Sequence, residues 1–81
     1  MGQKPRSRPE RLAAKLLAIR QHLGVSQTKM MKLLEADLAY KRISEWETDR
    51  REPAVMLLLQ YARLAKVPVE SLIDDNLDLP F

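Results

Sequence analysis

Nearly all the side chains of this 81-residue chain that could do chemistry are charged: 14 Lys and Arg stand against 11 Asp and Glu, with one histidine, no cysteine and two glycines. That inventory is poor in catalytic parts. His22 has no second metal ligand near it and no thiol to activate, and two glycines do not make a phosphate-cradling loop, so neither enzymatic activity nor a cofactor is expected. The charges can instead bind a partner, and their distribution matters more than the formal sum of +3. Residues 1–11 carry Lys4, Arg6, Arg8 and Arg11 against Glu10, a net +3, and residues 69–81 carry Glu70, Asp74, Asp75 and Asp78 with no base, a net −4, which leaves +4 on residues 12–68. An acidic tail masks a basic arm and body. Such a body suits a polyanion, and equally an ordinary solvated surface. Within it Lys41, Arg42, Arg50 and Arg51 are concentrated around Tyr40, Ser44 and Glu45; Glu45 stands one helical turn after Lys41, so an exposed ion pair between these two is one reading of it.

These residues need elements to hold them. The length leaves room for one domain with a single core, and at 46% hydrophobic and 31% charged the chain has enough apolar material to fold. The Gln3 to Pro9 stretch, with two prolines and no apolar residue, reads as an extended arm. Ser7 and Glu10 have capping-box spacing. Leu12, Leu16, Ile19 and Leu23 then recur on one face of a first helix, about Glu10 to Leu23, which Gly24 ends. Ser26 caps a second helix, about Gln27 to Leu34, with Met30, Leu33 and Leu34 on its apolar side. Asp37 offers a cap for a third, whose buried face is Leu38, Ile43 and Trp46. A charged loop at 48–52 leads to Pro53 in the first turn of a fourth helix, which ends before Pro68. Val69, Leu72 and Ile73 fit a short fifth helix, and residues after Asp74 form an extended or partly ordered tail. No segment alternates as a strand does. The expected organisation is therefore all-α: an arm at 1–8, a five-helix domain at 9–74 and an acidic, apolar tail at 75–81. No apolar run reaches the roughly 20 residues of a membrane helix and the polar start lacks a signal-peptide core, so a soluble cytoplasmic protein is expected, with no membrane partner.

The ordered set Leu12, Ile19-Arg20, Gly24-Val25-Ser26-Gln27, Met30, Leu34, Ile43-Ser44-Glu45-Trp46-Glu47, Pro53, Leu58, Ala62, Val67, Val69 and Leu72 spans about three quarters of the chain. It resembles the pattern of the lambda-repressor-like (Xre-type) helix-turn-helix family. The resemblance implies a five-helix bundle whose third helix lies in the DNA major groove while the second crosses above it. It implies that Tyr40, Lys41, Ser44 and Glu45, on the side of helix 3 away from Ile43 and Trp46, reach base edges: Lys41 can donate to guanine, Glu45 can accept from a cytosine amino group and Tyr40 can pack on a thymine methyl. Ser26 and Gln27 match positions that meet phosphate, with plain capping as the other reading, and Arg42, Arg50 and Arg51 sit where they can neutralise phosphates or simply be solvated. Arg20 and Glu47 match a structural ion pair. Trp46 and Tyr61 are read as core.

The implied function is sequence-specific binding of double-stranded DNA, with a palindromic operator, by a small transcriptional regulator expected to act as a repressor. A homodimer would use helix 4, helix 5 or the tail. The rival is an antitoxin-like or protein-binding regulator, since Met56, Leu57 and Leu64 lie off the core stripe of helix 4 and Leu77, Leu79 and Phe81 add an apolar tail; alternatively the bundle buries helix 4 and the tail folds over it. The chain departs from the family pattern in carrying two extra residues between Leu34 and Ile43. Either the turn is longer, or Asp37 caps helix 3 early and Leu38 is packed; the second is preferred, because Asp is a good cap. Met31 replaces a small residue, Glu35 stands where Gly is frequent, and Asp49 replaces a Gly for which a left-handed backbone is wanted.

Overall fold

A first helix begins at Leu12 because three apolar residues in helical register, Leu12, Leu16 and Ile19, are all withdrawn from solvent. A computed structural model describes residues 9–81, so the basic arm and Ser7 lie outside the described residues. α1 spans Leu12–Leu23, α2 Gln27–Leu33, α3 Lys41–Glu47, α4 Val55–Ala65 and α5 Glu70–Ile73, and no strand occurs among the described residues. The described residues form an all-helical five-helix bundle. No helix among those described is long and apolar enough to cross a membrane.

α1 is the hub, packing on α3, α4 and α5, while α2 packs on α3 and α4 on α5. Each helix sends residues to one core: Met30, Met31 and Leu34 from the second and its end, Ile43 and Trp46 from the third, Leu58, Tyr61 and Ala62 from the fourth, and Leu72 from the fifth. Trp46 meets Tyr61 edge to face at a centroid distance of 6.3 Å, an arrangement that aromatic quadrupoles favour. None of α2, α3 and α5, at seven, seven and four residues, is long enough to be stable in water alone, so this shared core holds them.

Helices are closed by a recurring device. At Gly24 (φ 70°), Asp49 (φ 61°) and Lys66 (φ 58°) the backbone turns left-handed, and the next residue's amide reaches back five positions: Val25 to Arg20, Arg50 to Glu45 and Val67 to Ala62, at 3.4, 2.9 and 3.0 Å. Glu35 (φ 55°) turns the same way after α2. Side chains at these positions strain against the backbone, and only Gly24 avoids that cost.

Four boundaries differ from expectation. α3 starts at Lys41, with Tyr40 at its N-cap position and no side-chain cap, so Asp37 does not begin it early; the extra residues lengthen the turn and leave Leu38 46% exposed instead of packed. α4 starts at Val55, because Pro53 and Ala54 form an extended lead-in with Pro53 buried. α1 starts two residues late, and its entry is capped from across the molecule: the Glu10 and Arg11 amides donate to Asp75 Oδ2 and Oδ1 at 2.9 and 3.0 Å. The tail, finally, is ordered and lies along α1, not over α4. Lys15, 4% exposed, donates through Nζ to the carbonyls of Ser71, Asp74 and Leu77 at 2.8, 2.9 and 2.7 Å. Arg11 Nη2 pairs with Asp78 at 2.6 Å, and the Phe81 ring stacks on His22 at 3.9 Å. Burial, with Arg11 nearby, pushes the Lys15 ammonium pKa down against the opposing pull of Asp75, Asp74 and Asp78.

Candidate nucleic-acid interface

The unit that presents the charged stripe runs from Ser26 to Arg51. Ser26, extended at ψ 167°, opens α2 by accepting the Lys29 amide on Oγ at 3.1 Å, which satisfies one of the helix's free donors. Met30, Met31 and Leu34 then pin α2 to the core. After the turn, Ile43 and Trp46, 0% and 3% exposed, fix which way α3 faces. With 3.6 residues per turn this leaves Lys41, Ser44, Glu45 and Thr48 on the opposite side. Tyr40, 60% exposed, precedes them, and Lys41 is exposed. Thr48, whose Oγ1 donates to the Ser44 carbonyl at 2.7 Å, was not among the residues singled out from sequence, although its position seven after Lys41 and four after Ser44 places it on the same stripe.

Behind the stripe, a partly buried polar cluster links α3 to α1 and α2. Arg20 Nε and Nη2 donate to Glu47 Oε2 and Oε1 at 2.7 and 3.1 Å, Arg20 Nη1 donates to the Val25 carbonyl at 3.0 Å, and Gln27 Nε2 donates to Glu47 Oε1 at 3.2 Å. This bidentate geometry suits a guanidinium and a carboxylate, and the hydrogen bond to Glu47 raises the Arg20 pKa further. The two residues that the family resemblance paired thus meet, and with Gln27 they join the end of α1, the start of α2 and the last turn of α3. Tyr61 lies beneath this cluster with its hydroxyl buried and without a hydrogen-bond partner among the described residues; burial, then the Glu47 charge, pushes its phenol pKa far up.

At the edge of α3, the Glu45 carboxylate is bracketed by Arg42 Nη1 at 3.2 Å and Arg51 Nε at 3.1 Å. The partners of Glu45 are therefore these two arginines and not Lys41, the partner its spacing suggested. Arg50 is exposed beside them. Of the residues expected to meet phosphate, Ser26 and Gln27 are given internal partners, the Lys29 amide and Glu47, while Arg42, Arg50 and Arg51 border the stripe. Between α2 and the long turn a groove of ≈ 380 Å³ is lined by Thr28, Met31, Lys32, Ala36, Leu38, Ala39 and Tyr40, so the apolar side of the turn opens next to the stripe.

The arrangement can present hydrogen-bond donors from Lys41, Arg42, Arg50 and Arg51 and hydroxyls from Tyr40, Ser44 and Thr48 on α3 and the turns at its two ends. Comparison with protein-family models, with curated proteins and with solved structures finds no match to this chain.

Proposed function

We propose that this protein binds double-stranded DNA sequence-selectively as a small, non-enzymatic transcriptional regulator of the lambda-repressor-like type, laying α3 in the major groove. The observation that carries the reading is the outward stripe of Lys41, Ser44, Glu45 and Thr48, held by Ile43 and Trp46 and by the Arg20–Glu47 pair, and flanked by Arg42, Arg50 and Arg51. A helix of this width fits the major groove, where Lys41 can donate to guanine O6 and N7 and Tyr40 can pack on a thymine methyl, while the arginines neutralise phosphates and set the register. Such a regulator works in the compartment that holds the genome, the cytoplasm of a bacterial-type cell. A palindromic operator would need two copies with their reading helices about one DNA turn, ~34 Å, apart.

A second reading, a regulator acting mainly through a protein partner, is favoured by Val55 and Met56, 74% and 64% exposed at the start of α4. The tail, seated on α1, is not a free arm for either purpose. The deciding experiment is selection of bound fragments from a genomic DNA pool, then titration of the enriched duplex with wild type and Lys41→Ala. A recurring motif whose base preference relaxes in Lys41→Ala supports the reading. Weak, sequence-indifferent binding that disappears at moderate salt overturns it.

A further inference from the structure

Glu45 is the odd residue of the stripe. A carboxylate on a surface meant for a polyanion is repelled by it unless it accepts from a base, and here both of its oxygens are already engaged. Arg42 reaches Oε1 from the first turn of α3, with its side chain 34% exposed; Arg51 reaches Oε2 from beyond the helix end, 57% exposed. Arg51 is brought there by the left-handed turn at Asp49, after which the amides of Arg50 and Arg51 both donate to the Glu45 carbonyl, at 2.9 and 3.3 Å. Glu45 thus holds Arg51 by backbone and by side chain at once. An amino group on a base carries only a partial charge and competes poorly with two guanidiniums for that carboxylate.

We propose that Glu45 is a splint that assembles Arg42 and Arg51 into one seat for a single phosphodiester of the DNA backbone, a role that rests on the DNA-binding reading above. Each guanidinium has five N–H donors and spends one on Glu45, leaving enough to grip both non-bridging oxygens of a diester. The three side chains together carry one net positive charge, the complement of one diester. Two long side chains that would otherwise lose their rotamer freedom on binding are held beforehand, so the ordering cost is met in the free protein. Glu45 is then a positioning residue that carries no base preference of its own.

Glu45→Asp is the test, because it keeps the charge but is one methylene too short to span both arginines. On the enriched duplex, across a salt series, Glu45→Asp binds about threefold to tenfold more weakly than wild type, the scale of re-ordering one or two such side chains, with base preference at every operator position unchanged. In an Arg42→Lys, Arg51→Lys background, where no planar fork remains to be splinted, Glu45→Asp has no further effect. Thermal melts confirm that the variants fold, and the side-chain Nε–H resonances of Arg42 and Arg51 in the free wild type are ordered relative to that of Arg50 and lose that order in Glu45→Asp. Wild-type affinity in Glu45→Asp, or a shifted base preference at one position, overturns the splint while leaving DNA binding intact. Failure of the wild type itself to select any duplex overturns the DNA reading, and the seat's ligand with it.

Discussion

Replacing Lys15 by Met keeps most of the side-chain volume under α5 and the tail but removes the ammonium that three carbonyls share. Hydrogen bonds to a charged group contribute about 1.5–3 kcal/mol each. Two terms reduce their total: Asp74 and Leu77 are exposed, so water can reach those carbonyls once the ammonium is gone, and Met recovers the desolvation cost of burying a charge. Ser71, only partly exposed, is the acceptor least able to find a substitute. The net loss should be about 2–3 kcal/mol, and since 1 kcal/mol shifts the midpoint of a domain this size by roughly 4–8 °C, Tm should fall by about 10–20 °C. Circular dichroism melts of wild type and Lys15→Met measure this, and amide exchange should show α5 and residues 74–81 losing protection before α2 and α3. A Tm within about 3 °C of wild type would refute the reasoning, because it would mean that those carbonyls are as well served by water as by the lysine.

Three further outcomes are expected. Tyr61→Phe should stabilise the protein by about 1 kcal/mol in urea unfolding, since it removes a buried hydroxyl with no partner, whose desolvation costs about 1–3 kcal/mol; a clear loss of stability would reveal a hydrogen bond there. Lys66→Gly should raise stability by up to about 1 kcal/mol, the left-handed strain at φ 58° outweighing the greater unfolded-chain freedom of glycine, whereas Ala at the same site should gain nothing. Backbone hydrogen bonds from Glu10 and Arg11 hold the Asp75 pKa below its ordinary value of 3.8. Its contribution is therefore complete above that value and is lost as pH falls through the lower, folded-state pKa, so wild type should lose stability on acidification in a window that Asp75→Asn lacks.

What could be read from the sequence was what depends on local spacing. The apolar stripe of α1, the stop at Gly24, the Ser26 cap and the inward face carrying Ile43 and Trp46 each follow from residues within a turn or two of one another. Contacts that join distant parts of the chain were not legible in the same way. Lys15 reads as an ordinary surface lysine until Ser71, 56 positions on, is brought beside it, and Asp75 reads as part of a solvated acidic run although it caps a helix 64 positions away. The start of α3 was misplaced because Asp37 is a good cap in isolation, while the left-handed exit at Glu35 and the burial of Ile43 and Trp46 require a longer turn first. For Glu45 the spacing offers a base contact or an ion pair with Lys41, its neighbour one turn back, and neither reading includes Arg51, since helical spacing cannot foresee that the reversal at Asp49 returns Arg51 to the same carboxylate.

Because the Glu10 and Arg11 amides at the entry to α1 end on Asp75, the start of the bundle and its tail are fastened to each other. Lifting the tail uncaps α1, and loosening the first turn of α1 frees Asp75, so both should open as one cooperative segment with a shared exchange rate. The segment closes a loop of 64 residues, one of the longest this fold contains. Closing a loop of that length costs more chain entropy than forming the local contacts within α2 and α3, so the fastening gains its stability from the rest of the fold and acts as a clasp on it, not as a seed.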